Sequence, residues 1–299
     1  NPAAGSEIRF IGRSLMSLNS MLLSVLQTHR WPAMVSSLLA GASMTLAYEP
    51  FGLSLLVFPL FALLLFHWLR ADARGVFIHV WLFTTGAVFT GNSWIFFSLY
   101  YHGGSPAVLA VTIIVLLAMF LALFHAIIAY LFSRFCTSGE LSRLLVVFPV
   151  AWLLAEWLRG YIWTGYAWVQ PGYTQLDLPL SGYAPVIGTH AIGALIVFTS
   201  GVLVALLLKK LSWQKALLAV ALVWTAGFVL KQVSWTQPAG ENIEVALIQG
   251  NIPQDLKWKR HMHRPTLEMY RELTLENSDA DLVVWPETAI PDYKHRVPA

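Results

Sequence analysis

The sequence predicts a polytopic α-helical membrane bundle of about seven spans, followed by the opening part of a water-facing α/β domain. Three observations carry this: an apolar composition, a series of apolar windows long enough to cross a bilayer, and an abrupt compositional change near residues 236–240. Of 299 residues, 57% are hydrophobic and only 12% charged, against roughly 25% charged in an average soluble domain. Aromatics reach 13%, including 13 Trp. That supply suits a lipid-facing exterior with Trp and Tyr at the headgroup levels.

Residues 1–30 read as an N-terminal tail. Within it Ile8, Ile11, Leu15, Leu18, Leu22 and Val25 recur at three- or four-residue spacing, with Arg9 and Arg13 between them. The pattern predicts an amphipathic helix lying on the membrane surface.

Crossing the hydrocarbon core takes roughly 20 mostly apolar residues, because a helix rises about 1.5 Å per residue. Seven windows meet or approach that requirement within a membrane domain of residues 31–235. They are 31–48, 53–69, 75–97, 107–132, 144–158, 187–208 and 213–230. Cations favour one set of connections: Arg9, Arg13 and Arg30, then Arg70 and Arg74, then Arg134 and Arg143, then Lys209 and Lys210. The alternate connections are nearly free of them. By the excess of Lys and Arg in short cytoplasmic loops, the N-terminus is expected in the cytoplasm and everything after residue 230 on the far side. No internal repeat stands out, so an inverted-repeat transporter receives no support.

The formal charge is +3 and its cations are scattered between apolar runs, which excludes a nucleic-acid surface as the main business of the chain. Cys136 is the single cysteine, so neither an internal disulfide nor a multi-Cys metal site can form. It falls beside Arg134 in a predicted cytoplasmic loop, and its role reads as structural or none. The His residues show no metal-ligand spacing, and no cofactor is expected.

After the Pro and Gly hinge Thr236-Gln237-Pro238-Ala239-Gly240, residues 241–299 are charged and mixed. Residues 243–248 read as a buried strand, 265–277 as a helix and 281–285 as a second strand, a β-α-β opening. Glu287 falls just past the second strand, where open α/β sheets keep their binding crevices. Trp285 and Pro286 beside it predict a partly desolvated carboxylate suited to proton abstraction. A turn-capping or solvent-facing Glu fits the bare sequence equally well.

Several segments together resemble the apolipoprotein N-acyltransferase family, over roughly residues 31–292. They are Gly91-Asn92-Ser93-Trp94, Gly103-Gly104, Glu156-Trp157-Leu158-Arg159-Gly160, Thr164-Gly165-Tyr166-Ala167-Trp168 and Gly172-Tyr173-Thr174-Gln175. Ala184-Pro185-Val186-Ile187-Gly188, Gln249-Gly250-Asn251-Ile252-Pro253-Gln254, Lys257-Trp258 and Trp285-Pro286-Glu287 follow in order. Each fragment is weak alone; their order and their coincidence with the apolar windows carry the resemblance.

The resemblance implies a multi-pass protein of the bacterial inner membrane, with a periplasmic nitrilase-like α-β-β-α sandwich domain. It implies a reaction in which a Cys takes an acyl chain from a membrane phospholipid as a thioester. The chain then passes to the α-amino group of a diacylglyceryl-modified apolipoprotein. Both partners arrive through the lipid bilayer. In the nitrilase Glu-Lys-Cys triad, Glu287 matches the general base. Trp258 is expected to touch lipid near the acyl-binding mouth, or to anchor at the interface. The family's Lys and Cys lie well beyond the Glu, past Ala299, so the chain is expected to be C-terminally incomplete and inactive alone. Lys257 and Lys259 precede the Glu strand and are left out of the triad. The other readings are a different nitrilase-type membrane acyltransferase or amidase, and a non-catalytic membrane scaffold.

Glu156 and Arg159, three apart, share a helix face and are expected to pair. Asn92, His125 and His190 lie in or near apolar windows and are expected to make interhelical hydrogen bonds. The Trp- and Tyr-rich run 163–183 reads as an aromatic belt at the outer interface.

Overall fold

A computed structural model describes residues 30–290 and 292; the amphipathic helix expected in the N-terminal tail lies outside them. The chain divides into two compact units. Of the described residues, one unit holds those up to Phe97 and Ser105–Val233, the other Ser98–Gly104 and those from Ser234 onward.

The first unit is helical: α1 (Arg30–Ser43), α2 (Val57–Arg70), α3 (Ala73–Gly91), α4 (Ala107–Phe135), α5 (Phe148–Tyr161), α6 (Ala184–Leu207) and α7 (Trp213–Lys231). Among the described residues, four helical runs are long and apolar enough to cross a membrane: Ala107–Phe135, Glu140–Thr164, Pro179–Leu207 and Trp213–Lys231. Trp31–Ala47 and Ser54–Arg70 are shorter apolar helices.

Local chemistry sets the ends. Asp72 caps α3 by accepting from the Gly75 amide at 2.9 Å, filling one of the orphan donors at a helix start. Pro149 follows closely on a π-helical stretch and Pro185 on the 3₁₀ turn Pro179–Tyr183, so each stands where the helix type changes rather than inside a regular α-turn. Gly188, at φ 74°, kinks α6. The fifth apolar window extends backwards through a π-helical stretch, Arg143–Val147, which lengthens the run to residue 140.

The core of this unit is built on aromatic rings. Phe61 meets Trp152 edge-on at 4.7 Å, and Trp68 stacks on Phe148 at 4.2 Å. Helices α1 and α3 touch backbone to backbone: a Cβ on Gly41 would strike the carbonyl of Phe83, and one on Gly86 would lie 2.8 Å from the Ala42 nitrogen. Without a hydrophobic force between helices in lipid, such close approach is what dispersion and short hydrogen bonds require. By contrast α7 buries only 11% of its apolar window, leaving Leu217, Leu218 and Leu222 exposed. An exposed leucine ladder is costly in water and neutral in lipid.

The second unit carries two strands among the described residues, β1 (Val245–Leu247) and β2 (Leu282–Val284), separated by helix α8 (His263–Glu276). The strands pair in parallel with Val245 opposite Leu282, Ala246 opposite Val283 and Leu247 opposite Val284. This is the β-α-β order read from the sequence, with shorter strands, and β1 is not the buried strand expected, because one of its faces is uncovered among the described residues. Ala246 and Val283 pack with Ile248, Tyr270 and Ala289 into a small core. The alternate residues Val245, Leu247, Leu282 and Val284 are exposed, as the two-residue period of a strand dictates when one face alone is covered.

Candidate active site and a buried polar cluster

Parallel pairing puts the C-terminal ends of β1 and β2 at the same edge. The chain leaving β1 runs through Gln249-Gly250-Asn251-Ile252-Pro253 into a short helix, Gln254–Lys257. Gly250 passes close under α8: a Cβ there would come within 2.7 Å of the Tyr270 ring. The chain leaving β2 turns at Pro286, where the Ala289 amide donates to the Pro286 carbonyl at 3.1 Å. Thr288 takes φ 53° in that turn, a left-handed conformation uncommon for a non-glycine residue.

Glu287 lies in this turn and is exposed, so the partial desolvation expected from Trp285 and Pro286 is corrected. The Trp285 ring is committed elsewhere: its Nε1 donates to Thr274 Oγ1 at 3.0 Å and it packs on Tyr270 with centroids 5.3 Å apart. A ring held against α8 does not wrap the neighbouring carboxylate. The Lys257 ammonium donates to the Glu287 carbonyl at 3.4 Å, tying the segment after β1 to the turn after β2. Trp258, the next residue, is 65% exposed. Lys257 was legible only as half of the Lys257-Trp258 pair; its reach to Glu287 depends on a fold that brings residues 30 positions apart together.

The first unit contains a second concentration of polar groups. Arg159 Nη2 donates to both oxygens of Glu156, at 2.9 and 3.1 Å, and His125 Nε2 donates to Glu156 Oε1 at 2.7 Å. Glu156 and Arg159 are 1% and 2% exposed, a burial only a paired and hydrogen-bonded charge tolerates. The pairing joins α4 to α5. The other arm of the guanidinium donates to the Trp168 carbonyl at 3.2 Å, fixing the loop that follows α5.

Asn92 and His190 are hydrogen-bonded too, but not between helices as expected: their side-chain partners Tyr166 and Gln170 lie in the loop after α5, which the apolar windows did not bring into view. Tyr166 OH donates to Asn92 Oδ1 at 2.6 Å, and Asn92 Nδ2 donates to the Val88 carbonyl. Gln170 lies 3.0 Å from His190 Nε2 and accepts from Thr189. Tyr166 as the partner of Asn92 had no sequence signal beyond membership of the same set of motif fragments. Cys136 is exposed at the end of α4. Among the described residues no group of three or more His, Cys, Asp or Glu is placed to hold a metal. The cluster therefore offers paired charges that fix a loop, although His125 Nδ1 and Arg159 Nε are buried without a partner among the described residues, while the turn after β2 offers an exposed carboxylate.

Residues 40–202 match the family model described as the apolipoprotein N-acyltransferase N-terminal domain. The chain is 39% identical over 267 residues to an apolipoprotein N-acyltransferase of Methylococcus capsulatus, covering 89% of this chain and 53% of that protein. It is 37% identical over 266 residues to the one of Coxiella burnetii (88% and 55%), and 38% identical over 290 residues to the one of Photobacterium profundum (96% and 53%). The chain thus spans about half the length of the curated relatives it matches. The family model covers more than half of the sequence, and on that match the chain belongs to the apolipoprotein N-acyltransferase family.

Proposed function

We propose that this chain supplies the membrane domain and the general base of an enzyme that N-acylates lipoproteins. The acyl chain comes from a membrane phospholipid and ends on the α-amino group of a diacylglyceryl-modified apolipoprotein. A cysteine thiolate attacks the phospholipid ester carbonyl, and the lysophospholipid leaves with a proton. The amine then attacks the thioester, forming the amide and releasing the thiol. Glu287 takes the proton from the thiol in the first half and hands it to the departing lysophospholipid oxygen; in the second it takes a proton from the neutral amine's nitrogen as the C–N bond forms and returns it to the departing thiolate. The lysine and cysteine of this scheme belong to the part of the relatives that this chain does not span. Trp258 meets the lipid substrate.

Seven crossings, a cytoplasmic N-terminus and a periplasmic second unit complete the reading, in the bacterial inner membrane. Keeping both substrates in the bilayer avoids drawing acyl chains into water, at about 0.8 kcal/mol per CH₂. The single observation that supports the chemistry is Glu287, exposed at the carboxyl end of β2, in a chain whose family is named for the N-acylation of apolipoproteins.

The test joins this chain to the C-terminal half of the Methylococcus relative. The chimera is expected to acylate a diacylglyceryl-cysteine peptide in phospholipid vesicles. Glu287→Gln abolishes the transfer, and Trp258→Ala raises KM for lipid more than it lowers kcat. Full activity in the Glu287→Gln chimera would sink the assignment.

A further inference from the structure

We infer that the first unit carries a binding site for an intact anionic phospholipid, in a groove between α3 and α4 at the basic end of the bundle. The groove has a volume of about 360 Å³ and is lined by Arg74, Phe77, Ile78 and Tyr130. Its walls are half-buried apolar side chains, and its one charged lining group is exposed.

The two helices run antiparallel. Trp81 Nε1 donates to the Met119 carbonyl, while Phe77 and Ile78, earlier in α3, face Tyr130, later in α4. The start of α3 and the end of α4 therefore lie at the same end. On α3, Arg74 stands three and four residues before Phe77 and Ile78, on the same face and one turn nearer that end. On α4, Arg134 stands four residues after Tyr130, again on the same face and one turn nearer that end. Two cations thus crown an apolar groove, the disposition of a headgroup phosphate above its acyl chains.

Both arginines are exposed. Among the described residues neither is in an ion pair, whereas Glu140, the acid nearest in sequence to Arg134, is held by Lys210 at 3.0 Å. The Arg134 guanidinium lies over the Phe135 ring at 5.7 Å, which leaves its N–H edges open to a phosphate. Asp72, the acid nearest in sequence to Arg74, spends a carboxyl oxygen on the Gly75 amide. A net positive, hydrogen-bond-rich rim over an apolar slot selects a lipid anion over a zwitterion. Such basic pockets between spans suit the anionic cytoplasmic leaflet, where the cation-rich connections are expected. The site does not depend on the acyl-transfer reading, and its lipid is bound without being consumed.

The test is native mass spectrometry of the purified chain, released from detergent with equimolar phosphatidylglycerol and phosphatidylcholine. One phosphatidylglycerol is expected to stay bound in preference. Arg74→Gln and Arg134→Gln each weaken its retention about fivefold, and the double variant about 30-fold, from the electrostatic worth of one cation near an anionic surface. The double Lys variant retains the preference. Ile78→Trp, which keeps both cations but fills the slot, loses retention as well, so a mere anion site is distinguished from a lipid site. Equal retention of phosphatidylcholine, undiminished phosphatidylglycerol in the double Gln variant, or displacement by millimolar inorganic phosphate would each overturn the proposal.

Discussion

Arg159 reaches back one turn of α5 to grip both oxygens of Glu156, at 2.9 and 3.1 Å, in a pair that is all but sealed from solvent. His125 completes the set from α4 at 2.7 Å. Desolvating two charges costs several kcal/mol per ion, which mutual attraction and extra hydrogen bonds offset only while all partners are present. The arrangement is therefore asymmetric: costly to break at one position, cheap to replace as a whole.

Arg159→Met is accordingly expected to destabilise the first unit by about 3–5 kcal/mol, since it strands a buried carboxylate. Adding Glu156→Leu should recover most of that loss. Thermal unfolding in detergent, followed by Trp emission, checks both. A double variant no more stable than Arg159→Met would show that the pair is not an isolated electrostatic unit.

The Tyr166–Asn92 bond, 2.6 Å long, gives a smaller and pH-dependent effect. Tyr166→Phe should cost about 1 kcal/mol below pH 9, the worth of one net hydrogen bond. Burial raises the Tyr166 hydroxyl above its ordinary 10.0, with Arg159 pulling weakly the other way. A raised folded value means stability that is complete below 10.0 and lost as pH rises through the folded value. The Phe variant should lack that alkaline loss, and unfolding midpoints measured from pH 8 to 12 would reveal it. A parent curve flat over the same range speaks against the assignment.

Gly41 and Gly86 let α1 and α3 meet at their backbones. Gly86→Val is expected to push the helices apart and cost about 1–3 kcal/mol, the usual penalty of overpacking. The hydrogen bonds from Thr90 to the Ala42 carbonyl and from Thr45 to Thr90, at 2.9 and 2.7 Å, would lengthen with them. A Cys pair at Leu39 and Phe89, spin-labelled in each background, reads the change: a distance unaltered by Gly86→Val means the contact has slack.

Much of this was open to sequence reasoning, for identifiable reasons. Apolar length marks α4, α6 and α7 because lipid-facing helices are apolar all round. Short apolar runs mark β1 and β2, though not that one face of each stays exposed, and Glu156 to Arg159 is one turn apart whatever the tertiary fold. Other relationships depend on pairing distant segments: His125 with Glu156 across 31 residues, Tyr166 with Asn92 across 74, Lys257 with Glu287 across 30. No local period encodes those separations. The desolvation expected of Glu287 failed for a related reason. It rested on the sequence neighbour Trp285, and that ring's direction is set by Thr274 and Tyr270 on α8.

The bare face of the β1–β2 pair leads to a final expectation. Val245, Leu247, Leu282 and Val284 are 43%, 76%, 46% and 40% exposed, and the register sets them in two adjacent cross-strand pairs. Four branched apolar side chains side by side form a contiguous patch next to strand edges unpaired among the described residues, the combination that drives association in water. The chain in single-copy nanodiscs should therefore pair discs at micromolar concentration. Replacing the opposed residues by Leu247→Lys with Val284→Glu puts opposite charges across the ladder, which keeps the strands paired while wetting the patch. Mass photometry should then show single discs, with helical unfolding of the first unit unchanged. Discs that pair equally in both forms would place the sticky surface elsewhere, and discs single in both would mean the face is shielded without help from another chain.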